Sequence, residues 1–185
     1  MRTALLSVCG LIGALAGCRA KPPAPVQLVA GPTSAERVDF VPRSAFAEYY
    51  ELDGLRNEVR ITLSSYESSC DEFVAPRDRE VSVVVNVVSP AGVALEPGTY
   101  FWAGHAAHGG TPARPEQPYS AATARIGARG FTLPPGGSVE LRTVSRELEG
   151  RVSGYLALEF PGDAERAATS LRGGFEAKLC RRSAP

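Results

Sequence analysis

Val152-Ser153-Gly154-Tyr155-Leu156-Ala157-Leu158-Glu159-Phe160 is followed, after Pro161-Gly162-Asp163, by Leu171-Arg172-Gly173-Gly174-Phe175-Glu176-Ala177-Lys178-Leu179-Cys180. In the first run Val152, Gly154, Leu156, Leu158 and Phe160 fall on alternate positions. In the second, Leu171, Gly173, Phe175, Ala177 and Leu179 do the same. Side chains on a strand point alternately to its two faces, so each run is a strand with one buried face. The runs match in length, which predicts an antiparallel pair across the connection from Pro161 to Ser170. Only Ala164–Ser170 within that connection has the composition of a helical turn.

The same period recurs upstream. Val59, Ile61 and Leu63 alternate with Glu58, Arg60 and Thr62, the mark of a half-buried strand. Val81, Val83, Val85 and Val87 hold one face of the next strand, and Val84 and Val88 lie on the other. A strand apolar on both faces is expected in the middle of a sheet, covered on each side. Thr99-Tyr100-Phe101-Trp102 is aromatic and β-branched enough for a short strand. Pro134-Pro135-Gly136-Gly137 reads as the turn of a hairpin joining Ile126–Leu133 to Val139–Val144, since proline presets φ and glycine accepts φ > 0. The period of Phe46 to Leu52 fits strand and helix alike. About eight or nine strands with almost no helix predict an all-β fold: an antiparallel β-sandwich of jelly-roll type, with a small β-barrel as the alternative.

The N-terminus is organised differently. Arg2 precedes an uncharged stretch from Ala4 to Gly17, shorter than the roughly 20 apolar residues that span a bilayer. It ends in Leu15-Ala16-Gly17-Cys18, which resembles the lipobox of bacterial lipoprotein precursors at each of its four positions. The resemblance implies a signal peptide over residues 1–17, cleavage after Gly17 and diacylglycerol on the Cys18 sulfur. It also implies attachment to a membrane outside the cytoplasm. Arg19, in the place where aspartate retains such proteins in the inner membrane, implies the outer membrane if the cell is Gram-negative. Residues 18–37, with Lys21-Pro22-Pro23-Ala24-Pro25 and Gly31-Pro32-Thr33-Ser34, read as a proline-rich tether. Extended, it would reach about 50 Å. The β domain then runs over residues 38–182. Its last strands, with Gly154-Tyr155-Leu156 and Leu171-x-Gly173-x-Phe175-x-Ala177-x-x-Cys180, resemble the ends of uncharacterised bacterial lipoproteins, a likeness that implies no activity.

Twenty basic residues balance twenty acidic ones. No basic tract points to nucleic acid, so membrane attachment has to come from lipid. Of the four cysteines, Cys9 leaves with the signal peptide and Cys18 carries lipid. Cys70 and Cys180 remain, in a compartment where disulfides persist. A bridge between them closes a loop of 110 residues, stabilising by about 4–5 kcal/mol in the chain-entropy account. The alternative is two free thiols in a metal or catalytic role. Ser68-Ser69-Cys70-Asp71-Glu72 reads as the loop feeding the bridge.

The segment Gly104 to Pro118 is the most site-like, because long irregular loops in compact domains are often functional. It holds the only imidazoles, His105 and His108, two candidate ligands for zinc or copper, with Glu116 the nearest carboxylate that follows. A metal needs three or four ligands, and the solvated loop is the simpler reading. Tyr100 and Trp102, which share a face of their strand, are candidates for a stacking floor under sugar or peptide. The other reading puts them in the core. No nucleophile elbow, phosphate loop or dinucleotide fingerprint occurs. These residues point to a non-enzymatic binding or structural module of the cell envelope, with a protein or glycan partner and no cofactor. The alternative is a metal-dependent or hydrolytic envelope enzyme built on His105 and His108.

Overall fold

The computed structural model describes residues 27–30, 40–52, 56–72, 74–78, 80–101, 117–127, 129–131, 136–160 and 169–183. Among these there are ten strands and no helix. Strand β1 is Gln27–Ala30, β2 Ser44–Leu52, β3 Arg56–Ser64, β4 Val81–Pro90 and β5 Gly98–Phe101. Strand β6 is Tyr119–Ile126, β7 Arg129–Phe131, β8 Gly136–Val144, β9 Arg151–Phe160 and β10 Thr169–Ser183.

All ten belong to one sheet, in the order β5-β8-β9-β10-β2-β3-β4-β6-β7, with β1 added to β10. The fold is all-β, as the alternation predicts. Its single curled sheet matches the barrel form of that expectation; two separate sheets, as in a sandwich, are not what the pairing builds. The ring has eight strands in two halves. One is the antiparallel meander β2-β3-β4-β6, the other the antiparallel meander β10-β9-β8-β5. At the first joint β10 runs parallel to β2, so the sheet is mixed rather than antiparallel throughout. Strand directions make β5 and β6 parallel as well where the ring comes back on itself. There the Ser120 hydroxyl of β6 donates to the Tyr100 carbonyl of β5 at 3.0 Å.

The inward residues are those the alternation assigns. Val59, Ile61 and Leu63 face Val87, Val85 and Val83 across β3 and β4, and Leu171 faces Leu158 across β10 and β9. They join one core cluster with Tyr49, Val139, Leu141, Phe175 and Leu179. Eight strands enclose an interior about as wide as its own side chains need. Phe40, before β2, and Leu95, after β4, close the two ends of the β2-β3-β4 meander and belong to the same cluster. Strand β4 lies between β3 and β6, with Val88 buried on its outer face, as its double apolar pattern implies.

Two expectations are settled differently by the structure. Phe46 to Leu52, open between helix and strand, is part of β2. Val139–Val144 does not pair with Ile126–Leu133: β8 pairs with β5 and β9, whereas β6 turns at Gly127, φ 56°, onto β7. The cause is that Gly136 and Gly137 lie within β8. A Cβ on Gly137 would sit 1.9 Å from the Ala157 carbonyl oxygen of β9. Close strand approach and a positive φ of 109° both call for glycine here, while Pro134 and Pro135 lie outside the described residues. Within the 18–37 segment, Gln27–Ala30 form β1 and pair antiparallel with Arg172–Thr169 of β10. Of Ala164–Ser170, residues 164–168 lie outside the described residues, and Thr169 and Ser170 open β10.

Candidate functional site: a charge ladder beside the disulfide

On β2, Ala45, Ala47 and Tyr49 point inward, so Phe46, Glu48 and Tyr50 occupy the outer face. Register then sets Glu48 opposite Arg60 of β3, which lies opposite Asn86 of β4. On the other flank, Glu48 lies opposite Arg181 of β10. The outer wall therefore carries a row Arg181–Glu48–Arg60–Asn86 across four strands. Arg181 Nη1 is 3.4 Å from Glu48 Oε1, and Arg60 Nη1 is 3.9 Å from Glu48 Oε2. Arg60 Nε donates to Asn86 Oδ1 at 3.4 Å. Arg60 Nη2 also reaches Glu58 Oε1 at 3.5 Å, and Arg56 Nη2 reaches Glu58 Oε2 at 3.2 Å.

Glu48 and Glu58 are only 7% and 5% exposed, although they lie on the outer wall. Charges so far out of water need partners. The arginines supply them, with stems lying over the wall and half-exposed heads at its surface. The Arg60 guanidinium stacks over Tyr50, 5.2 Å from the ring centre. Burial pushes the Tyr50 hydroxyl above the ordinary phenol value, and a hydrogen bond to Glu48 and the charge of that carboxylate push the same way.

The disulfide adjoins this row. The β10–β2 register shifts between Leu179 and Arg181, a bulge with Cys180 at its centre. The extra residue lets Leu179 pack inward and still sends Arg181 out beside Glu48. Cys180 is bonded to Cys70, with Cα atoms 6.2 Å apart and a sequence separation of 110. Cys70 stands on the β3–β4 loop, which crosses β2 to reach β10. Loop and wall are held by hydroxyls: Ser68 N–H donates to Ser44 Oγ at 3.0 Å, Ser68 Oγ lies 3.1 Å from Ser64 Oγ, and Tyr66 Oη donates to the Val74 carbonyl at 2.7 Å. Arg181 Nη2 donates to the Cys70 carbonyl at 3.1 Å and lies 3.8 Å from Asp71 Oδ1. The expected bridge is present, and Ser68–Glu72 is the loop that feeds it.

Of the remaining sequence candidates, Tyr100 is the one among the described residues. Tyr100 faces the core, 7% exposed, and its hydroxyl donates to the Glu96 carbonyl at 2.5 Å. Burial raises this phenol too. Its neighbour Phe101 faces outward and is 68% exposed. Cys18, Trp102, His105, His108 and Glu116 lie outside the described residues. Among the described residues no three His, Cys, Asp or Glu side chains gather as a metal site.

Sequence reasoning passed over Glu48, Arg60 and Arg181. Arg56-x-Glu58-x-Arg60 showed alternating charge on one strand face. The partners of Arg60, however, come from strands whose order a single sequence does not state. Chemically the cluster offers guanidinium donors over paired carboxylates, an arrangement for holding strands together and for polar contact. The chain matches no protein-family model, no curated protein and no solved structure.

Proposed function

We propose that this chain is a lipid-anchored envelope lipoprotein whose barrel serves as a non-enzymatic binding or structural module. The observation that carries the reading is Leu15-Ala16-Gly17-Cys18, at the end of a short uncharged segment. The Cys70–Cys180 bridge supports it, because disulfides persist outside the cytoplasm. One acyl chain gives only marginal membrane binding, whereas two or three hold stably. In a Gram-negative cell Arg19 favours the outer membrane. The partner is an envelope protein or glycan, and the outer wall around Arg60 and Arg181 is the polar surface offered to it.

The test is metabolic labelling with palmitate and membrane fractionation of the wild type and Cys18→Ser. The wild type should take label and sediment with membranes; the variant should lose the label and move to the soluble fraction. A labelled, sedimenting Cys18→Ser protein would defeat the reading.

A further inference from the structure

Strand β1 changes where the barrel stands. As a free spacer, the tether would let the domain range about 50 Å from its lipid. Yet Gln27, Leu28, Val29 and Ala30 are paired with Arg172, Leu171, Ser170 and Thr169. Nine residue steps separate Cys18 from Gln27. At about 3.3 Å per step, a fully extended chain covers only about 30 Å.

The pairing site fixes the attachment point too. On one edge β10 is paired with β9 over Thr169–Lys178. The opposite edge is shared, taken by β1 over Thr169–Arg172 and by β2 from Lys178 onward. The chain leading from Cys18 therefore joins the wall of the barrel beside Arg172, and β10 is the strand that bears any pull from the anchor. β10 is also the strand bonded through Cys180 to the β3–β4 loop and through Arg181 to Glu48. Load entering at β1 passes to both halves of the ring.

We infer that β1 is a strap that holds the barrel close against the lipid surface of its own membrane, the proposal resting on the lipid-anchor reading of Cys18. The strap sets the stand-off at about 30 Å or less. The surface within reach is the headgroup layer of the anchoring bilayer.

Two properties are measured on the mature lipidated protein, reconstituted in phosphatidylethanolamine–phosphatidylglycerol bilayers. Neutron reflectometry reads the height of the barrel, and hydrogen exchange reads the amides of Ser170 to Arg172. The variants are Leu28→Pro/Val29→Pro, which removes a ladder donor from β1 and its freedom to pair, and a Gly-Ser insertion of about ten residues between Val26 and Gln27. The proline variant should raise the barrel towards the height of a free tether and speed exchange at Ser170–Arg172 about tenfold. The insertion should raise the barrel and leave that exchange unchanged. Unchanged exchange in the proline variant overturns the strap, as does a wild-type barrel already standing at the variant's height. The same exchange measurement on lipid-free Cys18→Ser separates the two readings. If prolines speed exchange there while the wild type never enters bilayers, the anchor reading fails, and the stand-off with it, and only the pairing of β1 is retained.

Discussion

At the scale of single residues, the barrel is made by which side chains are absent as much as by which are present. Gly154 lies on the inward face of β9, between Leu141 of β8 and Phe175 of β10. A Cβ there would stand 1.9 Å from the Glu140 carbonyl oxygen and 3.1 Å from the Phe175 ring. The first contact is with backbone, which cannot swing aside, so β8 or β9 must move. Gly154→Ala should therefore destabilise by about 3 kcal/mol, the upper range for overpacking a core. Gly98 is the control: nothing lies within 4 Å of a Cβ built on it. Gly98→Ala should stay within about 0.5 kcal/mol of the wild type. Urea denaturation of both variants checks the contrast, and equal losses would mean that close approach is not what Gly154 provides. Alternation in the sequence placed Gly154 on the inward face. It could not show why that position is glycine, because the Glu140 carbonyl arrives from another strand.

At the scale of elements, the joint between β10 and β2 is where the two meanders are fastened. Parallel ladders hold slightly less well per residue than antiparallel ones, and this one is interrupted by the bulge at Cys180. Three additions reinforce it: the Cys70–Cys180 bond, the Arg181–Glu48 ion pair, and the bond from Arg181 to the Cys70 carbonyl. Reducing the disulfide should cost about 2–5 kcal/mol. Its local signature should be faster hydrogen exchange over Lys178–Ser183 and the 65–80 loop, ahead of β3 and β4. If β3 and β4 open as early as β10, the bond does not fasten this joint in particular. The sequence paired the cysteines by elimination and identified the loop around Cys70. It was silent on the clasp around them, because Glu48 and Arg181 meet only through a parallel pairing of the first and last strands of the ring. Period-2 patterns state which face a residue takes, not which strand lies beside it. The expected hairpin across Pro134-Pro135-Gly136-Gly137 fails at its pairing, because β8 pairs with β5 and β9, and turn chemistry and close strand approach both select glycine.

At the scale of the whole molecule, the ring is two antiparallel meanders meeting at two parallel joints, and the joints are unequal. The first has a backbone ladder, a disulfide and an arginine. At the second, β8 covers one edge of β5, and β7 covers Ala124–Ile126 of β6. Among the described residues, the bond from the Ser120 hydroxyl to the Tyr100 carbonyl links β5 to β6 directly. Ser120 is 1% exposed and stands opposite Val87 in the core wall, so its hydroxyl has no water to fall back on. Proteins open along units of unequal stability, and the less fastened joint should open first. In the oxidised protein, amides of Gly98–Phe101 and of the first half of β6 should therefore exchange through a lower-energy opening than those of β2 and the end of β10. Ser120→Ala removes a buried donor and leaves the Tyr100 carbonyl unmatched at the seam, a loss of about 1–2 kcal/mol. That loss should appear at β5 and β6 while exchange in β2 and β3 follows global unfolding as before. Native-state hydrogen exchange resolves the order directly. If the disulfide-bonded joint opens first in the wild type, or if Ser120→Ala speeds all strands alike, closure of the barrel does not depend on this bond.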